Sequence, residues 1–413
     1  MNKIIMSSVV LFITMTLHAQ SIEYTKREKN EVREGPGSYY RLMGLILKGT
    51  AIPVLKKEGG WINFSTKQMK DLAKFNAGWL SKNCLSEKQL GKDIQNFKGG
   101  AGAMQVSQAA VAAAVRGFAL RYGRTNPPTI DSLLSYSSDI FAPEEFENFK
   151  TSAESPKSRS AITPAEVKGV VEEEGITLQE EGIGLGIAAR IAADGLINEP
   201  KLIKYANLLA ALLIESTGAY DMPMRVYVRT SENLDAFALP GGYIFISKGL
   251  VNACEDEAEF AAVIAHEIVH VLFRHGLQEV QKRMPNIRMD EAMDELDREV
   301  GVKNNEAVQE LEDFAIAAYE TVVKPRLQSY EEEADRYAAL ILARTGYDPS
   351  AVARMILRIR DSIKPAEDLD KDNPFLKYDF QKRYKKLTSF IKESQLPTSG
   401  MTNAERLRAV TGR

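Results

Sequence analysis

The sequence predicts a multidomain protein in which a small all-β barrel precedes a mainly α (α+β) domain with a short β-sheet. Three observations carry this expectation. The chain has 413 residues, 44% hydrophobic and 26% charged, which is too long for one core of ordinary size and too apolar for disorder. From about Ile22 to Glu87, short apolar runs alternate with turn formers at strand spacing. From about Val167 onward, apolar residues recur mostly at threes and fours, interrupted by β-type runs at Met224 to Arg229 and Tyr243 to Ile246.

Residues 1–19 are different material. Lys3 opens a short positive region, Ile4 to Leu17 is apolar, and Leu17-His18-Ala19 places a small residue before Gln20. This pattern predicts a cleaved secretory signal peptide rather than a retained anchor, because the stretch is short for a span and no Cys follows it for lipid attachment. No other apolar run reaches the ~20 residues needed to cross a bilayer. The mature chain is therefore expected outside the cytoplasm, without a transmembrane span. Lysines and arginines number 53 against 56 acids, a net charge of −3, so there is no positive field to hold nucleic acid. Two cysteines, Cys84 and Cys254, lie far apart in the chain and do not staple it.

The amino-terminal domain is expected over residues 20–90. Gly35-Pro36-Gly37, Gly49-Thr50 and Gly59-Gly60 punctuate it, and Trp61 and Trp79 follow turns, where both are read as barrel core. Residues 91–165 form a Gly/Ala-rich helical segment and linker. Ser107 caps the run Ala109 to Leu120, Pro127-Pro128 breaks it, and a helical piece at Glu144 to Phe149 precedes the linker Thr151 to Thr163. The main helical domain spans 166–395, with a tail at 396–413. Gly182-Ile183-Gly184-Leu185-Gly186 lacks a preceding strand and the full phosphate-loop fingerprint, so it reads as a turn or a close helix contact. Gln278 to Lys324 reads as a charged helical excursion that Pro325 ends.

The chemistry concentrates at His266-Glu267-Ile268-Val269-His270, within a helical run from Glu257 to His275 that Gly276 is expected to stop. Residues four apart on a helix lie about 40° apart around the axis and ~6 Å apart along it. Two imidazoles so placed can take two corners of a zinc tetrahedron. Glu267 projects beside them, where it can accept a proton from metal-bound water rather than ligate the metal. Satisfied core histidines are the plain alternative. It is disfavoured because the whole chain has four histidines and apolar neighbours make unpaired imidazoles costly.

A catalytic zinc needs a third protein ligand and one open position. His275 lies nine residues beyond His266, on the opposite side of a continuous helix, and is expected at the surface or a helix end. The three-His spacing of the metzincins is absent, since Phe273 and Gly276 stand at the required places. A carboxylate is expected instead, and Tyr330-Glu331-Glu332-Glu333-Ala334-Asp335-Arg336 is the best donor. Glu331 and Asp335 share a helix face, which suits Glu331 on the metal and Asp335 against a His ring. Glu332 and Glu333 are expected in solvent or paired with Arg336. Alone, the cluster would pass for an acidic helix start.

These elements, with Phe237-Ala238-Leu239-Pro240-Gly241-Gly242, Lys248-Gly249-Leu250 and Gly346-Tyr347-Asp348-Pro349, resemble the gluzincin metallopeptidases of the HtpX and CAAX-prenyl-protease type. The likeness runs from roughly Glu174 to Leu387 and is nearer to the soluble secreted BepA and LoiP branch. It implies a zincin-type metallopeptidase domain with an HExxH helix and one zinc ion per chain. His266, His270 and Glu331 are the implied ligands, Glu267 the general base, and Asp335 a supporting carboxylate. Asp235 stands where that family commonly has Asn, and Asn373-Pro374 where many members have His-Pro, so regulation through that His is not expected. Arg383 matches a frequent Arg, with an implied role near the substrate carbonyl. The motifs Val32-Arg33-Glu34-Gly35-Pro36, Lys48-Gly49-Thr50, Gly60-Trp61 and Gly78-Trp79 resemble the bacterial SH3-like domain, which implies a module that binds wall or protein.

The resemblance implies a zinc metalloendopeptidase of the periplasm, in some association with the outer membrane, acting on unfolded or misassembled cell-envelope proteins. The strand around Phe237 to Leu239 would pair with an extended substrate. The amino-terminal domain would dock to peptidoglycan or envelope proteins, and the segment Lys98 to Tyr122 would cover the cleft. Two alternatives stay open. A wall enzyme cutting peptidoglycan peptides is disfavoured by the lack of dispersed histidines. A non-catalytic holdase or assembly scaffold with structural zinc is disfavoured by Glu267.

Overall fold

In the amino-terminal part, strands form where the turn formers predict them. The computed structural model describes residues 21–69, 72–88, 133, 140–152, 175–283, 326–362 and 379–413. The expected leader, the helix from Ala109 to Leu120, most of the linker, most of the charged excursion before Pro325, and Asn373 lie outside them.

Strands β1 (Ile22–Thr25), β2 (Asn30–Arg33), β3 (Leu42–Ile46), β4 (Ala51–Glu58), β5 (Trp61–Ser65), β6 (Ala77–Ser81) and β7 (Leu85–Ser86) make one antiparallel sheet, ordered β3-β2-β6-β5-β4-β1-β7. Its inward side chains, among them Val32, Ile52, Ile62, Phe64 and Leu80, share one small core. The sheet does not close into the expected barrel. Among the described residues its end strands do not pair with each other: β7 is two residues long and bonds β1. On β3, Leu45 packs into a core with Ile183, Leu185 and Ile187 of the helical domain.

The rest is mainly helical. Helices α1 (Pro143–Ser152), α2 (Leu178–Ala192) and α3 (Pro200–Glu215) precede a three-stranded sheet of β8 (Arg225–Arg229), β9 (Ala236–Leu239) and β10 (Tyr243–Ser247). Strand β10 is central and fully buried, parallel to β8 and antiparallel to β9, which is an edge. Gly241 and Gly242, both at φ 82°, turn the chain between β9 and β10 in a conformation that a side chain would strain. Then follow α4 (Lys248–Ala253), α5 (Glu257–Leu272), α6 (His275–Arg283), α7 (Gln328–Thr345), α8 (Ala351–Ser362), α9 (Phe380–Glu393) and α10 (Ala404–Thr411).

Helix α5 is the axis of this domain. All its residues are buried except His266, which is half-buried, as befits a helix apolar nearly all round. Asp256 caps it by accepting from the Glu259 amide at 2.8 Å. Two buried acids in its first turn favour the positive end of the helix dipole. Glu257 accepts from Tyr205 and Tyr347 at 2.5 Å each, from Asn403 at 3.0 Å and from Arg406 of α10. Glu259 accepts from Arg354 at 3.0 Å and Arg358 at 2.9 Å. Small residues of α5 (Ala258, Ala261, Ala265) and of α7 (Ala334, Ala338) join one core, which lets the two helices approach closely.

The β-sheet domain is bonded to the helical domain. Tyr220 Oη donates to the Gly60 carbonyl at 2.7 Å, its ring meets Trp61 edge-on, and Arg27 pairs with Asp221 at 2.6 Å. Trp61 is thus buried at this junction, whereas Trp79 is only half-buried, under Lys56. Lys29 bonds Glu181 of α2 at 2.5 Å. Cys84 and Cys254 are both free and buried. No described helix is long and apolar enough to cross a membrane.

Candidate metal centre

Helices α5 and α7 pack so that three ligand-type side chains converge. His266 Nε2 and His270 Nε2 are 3.1 Å apart. Glu331 Oε2 lies 3.3 Å from His266 Nε2, and Glu331 Oε1 lies 3.5 Å from His270 Nε2. Bonds of about 2.0–2.2 Å to a tetrahedral zinc set its ligand atoms about 3.3–3.6 Å apart. Spacings of 3.1–3.5 Å lie close to that range, and a donor set of two imidazoles and a carboxylate suits that ion. Among the described residues these are the His, Cys, Asp and Glu side chains grouped closely enough to hold a metal.

The electrostatics also ask for a cation. Burial alone would lower the pKa of His266, but hydrogen bonds to Asp335 and Glu331 push it up to about 9. His270 goes the other way: burial, then the nearby charges of Arg326 and His266, hold it well below the usual histidine range and neutral, the form that ligates. Burial works against ionised Glu331 and Asp335, yet Arg383 and His266 keep both below the ordinary range, Asp335 at about 2.

Glu267 is buried beside the pair, and its Oε2 has no hydrogen-bond partner. Arg326 Nη1, the cation near it, is 3.6 Å away. Burial raises the Glu267 pKa and Arg326 only partly opposes this, which moves the carboxylate toward the range useful for a general base. Asp335 Oδ1 stands 3.1 Å from His266 Nδ1, on the side of the ring away from the cluster.

Some other residues lie elsewhere than the sequence suggested, while Gly184 makes the expected close helix contact, Asp235 lies beside the edge strand and His275 stands at a helix end. The run predicted to continue to His275 stops at Leu272, and Arg274 takes a left-handed φ of 51°. That break turns His275 inward: it is 1% exposed, with Nδ1 2.9 Å from His270 Nδ1 and Nε2 3.1 Å from Glu333 Oε2. Glu332 bonds Gln328 and Lys386, and not Arg336. Arg383 has its three nitrogens against Asp335 and Glu331. Asp235 accepts from Arg229 at 2.8 Å, next to the start of β9. The Gly182–Gly186 stretch is inside α2, and Gly184 packs on the Pro240 carbonyl, where a Cβ would stand 1.8 Å from the oxygen.

Sequence reasoning missed Arg326, which has no motif around it beyond a preceding Pro325. Its Nη2 donates to the Ala238 carbonyl of β9 at 2.8 Å. It therefore bridges the edge strand and Glu267.

A match to peptidase family M48 covers residues 205–413, from helix α3 through α10. The chain is 31% identical over 180 residues to the putative beta-barrel assembly-enhancing protease of Vibrio cholerae, covering 41% of this chain and 35% of that one. It is 27% identical over 171 residues to the beta-barrel assembly-enhancing protease of Escherichia coli K12, with the same coverage of 41% and 35%. With the mitochondrial metalloendopeptidase OMA1 of Schizosaccharomyces pombe it shares 32% identity over 76 residues, 18% of this chain and 23% of the other. The chain thus spans about a third of the length of the bacterial relatives it matches.

Proposed function

The chain belongs to peptidase family M48, and from that membership we propose that it is a zinc-dependent endopeptidase acting on unfolded or misassembled cell-envelope proteins. The observation that carries the reading is the convergence of His266, His270 and Glu331 within 3.5 Å of one another, beside the buried carboxylate of Glu267.

His266, His270 and Glu331 would hold one zinc ion per chain. When bound, zinc supplies a Lewis acid that polarises the scissile carbonyl and acidifies water. Glu267 takes the proton of the attacking water and returns it to the leaving amine. Its raised pKa suits both steps, since a stronger acid would hold the proton too weakly to take it from water. Asp335 accepts from His266 Nδ1 and so keeps the Nε2 lone pair facing the metal. An extended substrate lies along the edge of β9, displacing Arg326 from the Ala238 carbonyl and pairing with backbone rather than reading side chains.

Backbone pairing selects for accessible, unfolded chain, and the bacterial relatives are named for beta-barrel assembly. Both support envelope proteins as substrates and the periplasm, near the outer membrane, as the place of action. The amino-terminal sheet serves as an SH3-like docking module toward envelope protein or peptidoglycan, and the leader at residues 1–19 directs export. Family membership supports the peptidase over the wall-peptide and scaffold alternatives.

The test is metal analysis of the purified protein with casein cleavage by wild type and Glu267→Gln. One zinc per chain in both, with cleavage about 10²–10⁴-fold slower in the variant, is expected. Equal cleavage by a zinc-loaded Glu267→Gln protein would remove Glu267 from the chemistry and the mechanism with it.

A further inference from the structure

We propose that His275, backed by Glu333, is a positioning residue that sets the tautomer and ring plane of His270. The inference rests on the reading of His270 as a zinc ligand and adds a residue that neither the motif nor the family match assigns.

The backbone makes the contact. On a continuous helix, five residues at about 100° each would carry His275 well away from the His270 face. Instead α5 ends at Leu272, Arg274 adopts the left-handed conformation that an L side chain disfavours, and α6 begins at His275. Arg274 is held there by Glu180 at 2.7 and 3.1 Å and by the Gly175 carbonyl at 3.0 Å. A disfavoured turn fixed from outside returns His275 to the ring of His270.

The proton positions follow from the distances. The Nδ1 atoms of His270 and His275 are 2.9 Å apart, so one proton lies between them. His270 Nε2 faces His266 and Glu331 and must present a lone pair to bind a metal, which leaves its proton on Nδ1. That N–H donates to His275 Nδ1. The proton of His275 then sits on Nε2, 3.1 Å from Glu333 Oε2, which accepts it. Tyr330 stacks on His275 at 4.3 Å and 14°, holding the ring plane.

Each histidine of the cluster thus ends on a carboxylate of α7. His266 reaches Asp335 directly, and His270 reaches Glu333 through His275. Both carboxylates come from the helix that carries Glu331, so one element supplies a ligand and the anchors of the other two.

The experiment uses the full-length protein and reads zinc affinity by competition with a chromogenic chelator, along with the visible spectrum of the cobalt-substituted protein. His275→Phe keeps the ring and its stacking but has no nitrogen. It is expected to lower zinc affinity about 10–100-fold and to alter the cobalt spectrum. His275→Asn restores an acceptor and should recover affinity to within about threefold of wild type. Glu333→Gln, at a side chain 31% exposed, should cost several-fold without changing the melting temperature of the metal-free protein. Wild-type affinity in His275→Phe, or equal losses in the Phe and Asn variants, would overturn the proposal. Should His275→Phe not fold, unchanged affinity in Glu333→Gln does so. A wild-type protein that binds no zinc defeats the functional reading first and this inference with it.

Discussion

Asp335 accepts two hydrogen bonds from the fork of Arg383, at 2.9 and 2.8 Å, while its Oδ1 stands 3.1 Å from His266 Nδ1. The third nitrogen of the same guanidinium lies 3.2 Å from Glu331. One buried cation therefore orients a candidate ligand and the carboxylate behind another. Arg383→Lys keeps the charge but loses the fork, and is expected to weaken zinc binding about tenfold. Arg383→Met leaves two buried carboxylates uncompensated and should destabilise the metal-free protein by about 3–5 kcal/mol. Chelator competition and urea unfolding measure the two effects, and an Arg383→Lys protein with wild-type zinc affinity would show that the fork does not matter.

Arg326 occupies the Ala238 carbonyl on the edge where an extended substrate would pair, and it stands 3.6 Å from Glu267. Substrate backbone must displace it. In Arg326→Ala, KM for an extended fluorogenic peptide is expected to fall up to about tenfold, the equivalent of one charge-assisted hydrogen bond, with zinc content unchanged. A rise in KM would mean that Arg326 holds substrate rather than its place.

Glu31 faces Lys29, Arg33 and Arg225 near the junction of the two domains. Burial opposes its ionisation, but these cations hold its pKa down to about 2, against an ordinary 4.5. A folded-state pKa below the unfolded one means that its stabilising contribution is complete above pH 4.5 and is lost as pH falls toward 2. Urea midpoints should therefore drop over that window. Glu31→Gln should be less stable at pH 7 and show a shallower acid dependence; an identical acid slope would dismiss this carboxylate as the cause.

Gly184 lets α2 lie on the turn between β9 and β10, since an added Cβ would meet the Pro240 oxygen at 1.8 Å. Backbone on both sides leaves little room to yield. Gly184→Ala should cost about 1–3 kcal/mol and raise KM by shifting the edge strand. Thermal melts and steady-state kinetics would detect both, and a variant that melts like wild type would show that the helix can slide.

Removing zinc should expose the unmet demand of the cluster. A ligand that binds only the folded state at 100 times its Kd adds about 2.7 kcal/mol of stability. Melting is thus expected to fall several degrees on chelation and to recover with added zinc, and His266→Ala should abolish that response. A melting curve indifferent to zinc would argue against binding to the folded state.

Much of the site was legible before any coordinates. The four-residue spacing of His266 and His270, Glu267 between them and the matching spacing of Glu331 and Asp335 are consequences of helix geometry. The strands at Arg225–Arg229 and Tyr243–Ser247 followed from their apolar runs. The break after Leu272 was hidden because the left-handed residue is Arg274, held by Glu180 ninety-four positions away, where a local reading sees only a helix that ought to continue to Gly276. The burial of Leu45 on β3 was hidden for a similar reason: the core it joins lies around α2, far along the chain.

Sequence alone determined which side chains share a helix face and what chemistry they could support, because those relations are set within one or two turns of backbone. Only the tertiary structure decided that α7 would bring Glu331 to His266 and His270, that Arg383 would grip Asp335, and that His275 would turn back toward the cluster. Such contacts join distant parts of the chain, and they form where alanine-lined helices pack closely and where buried charges must find opposite charges to be tolerated at all.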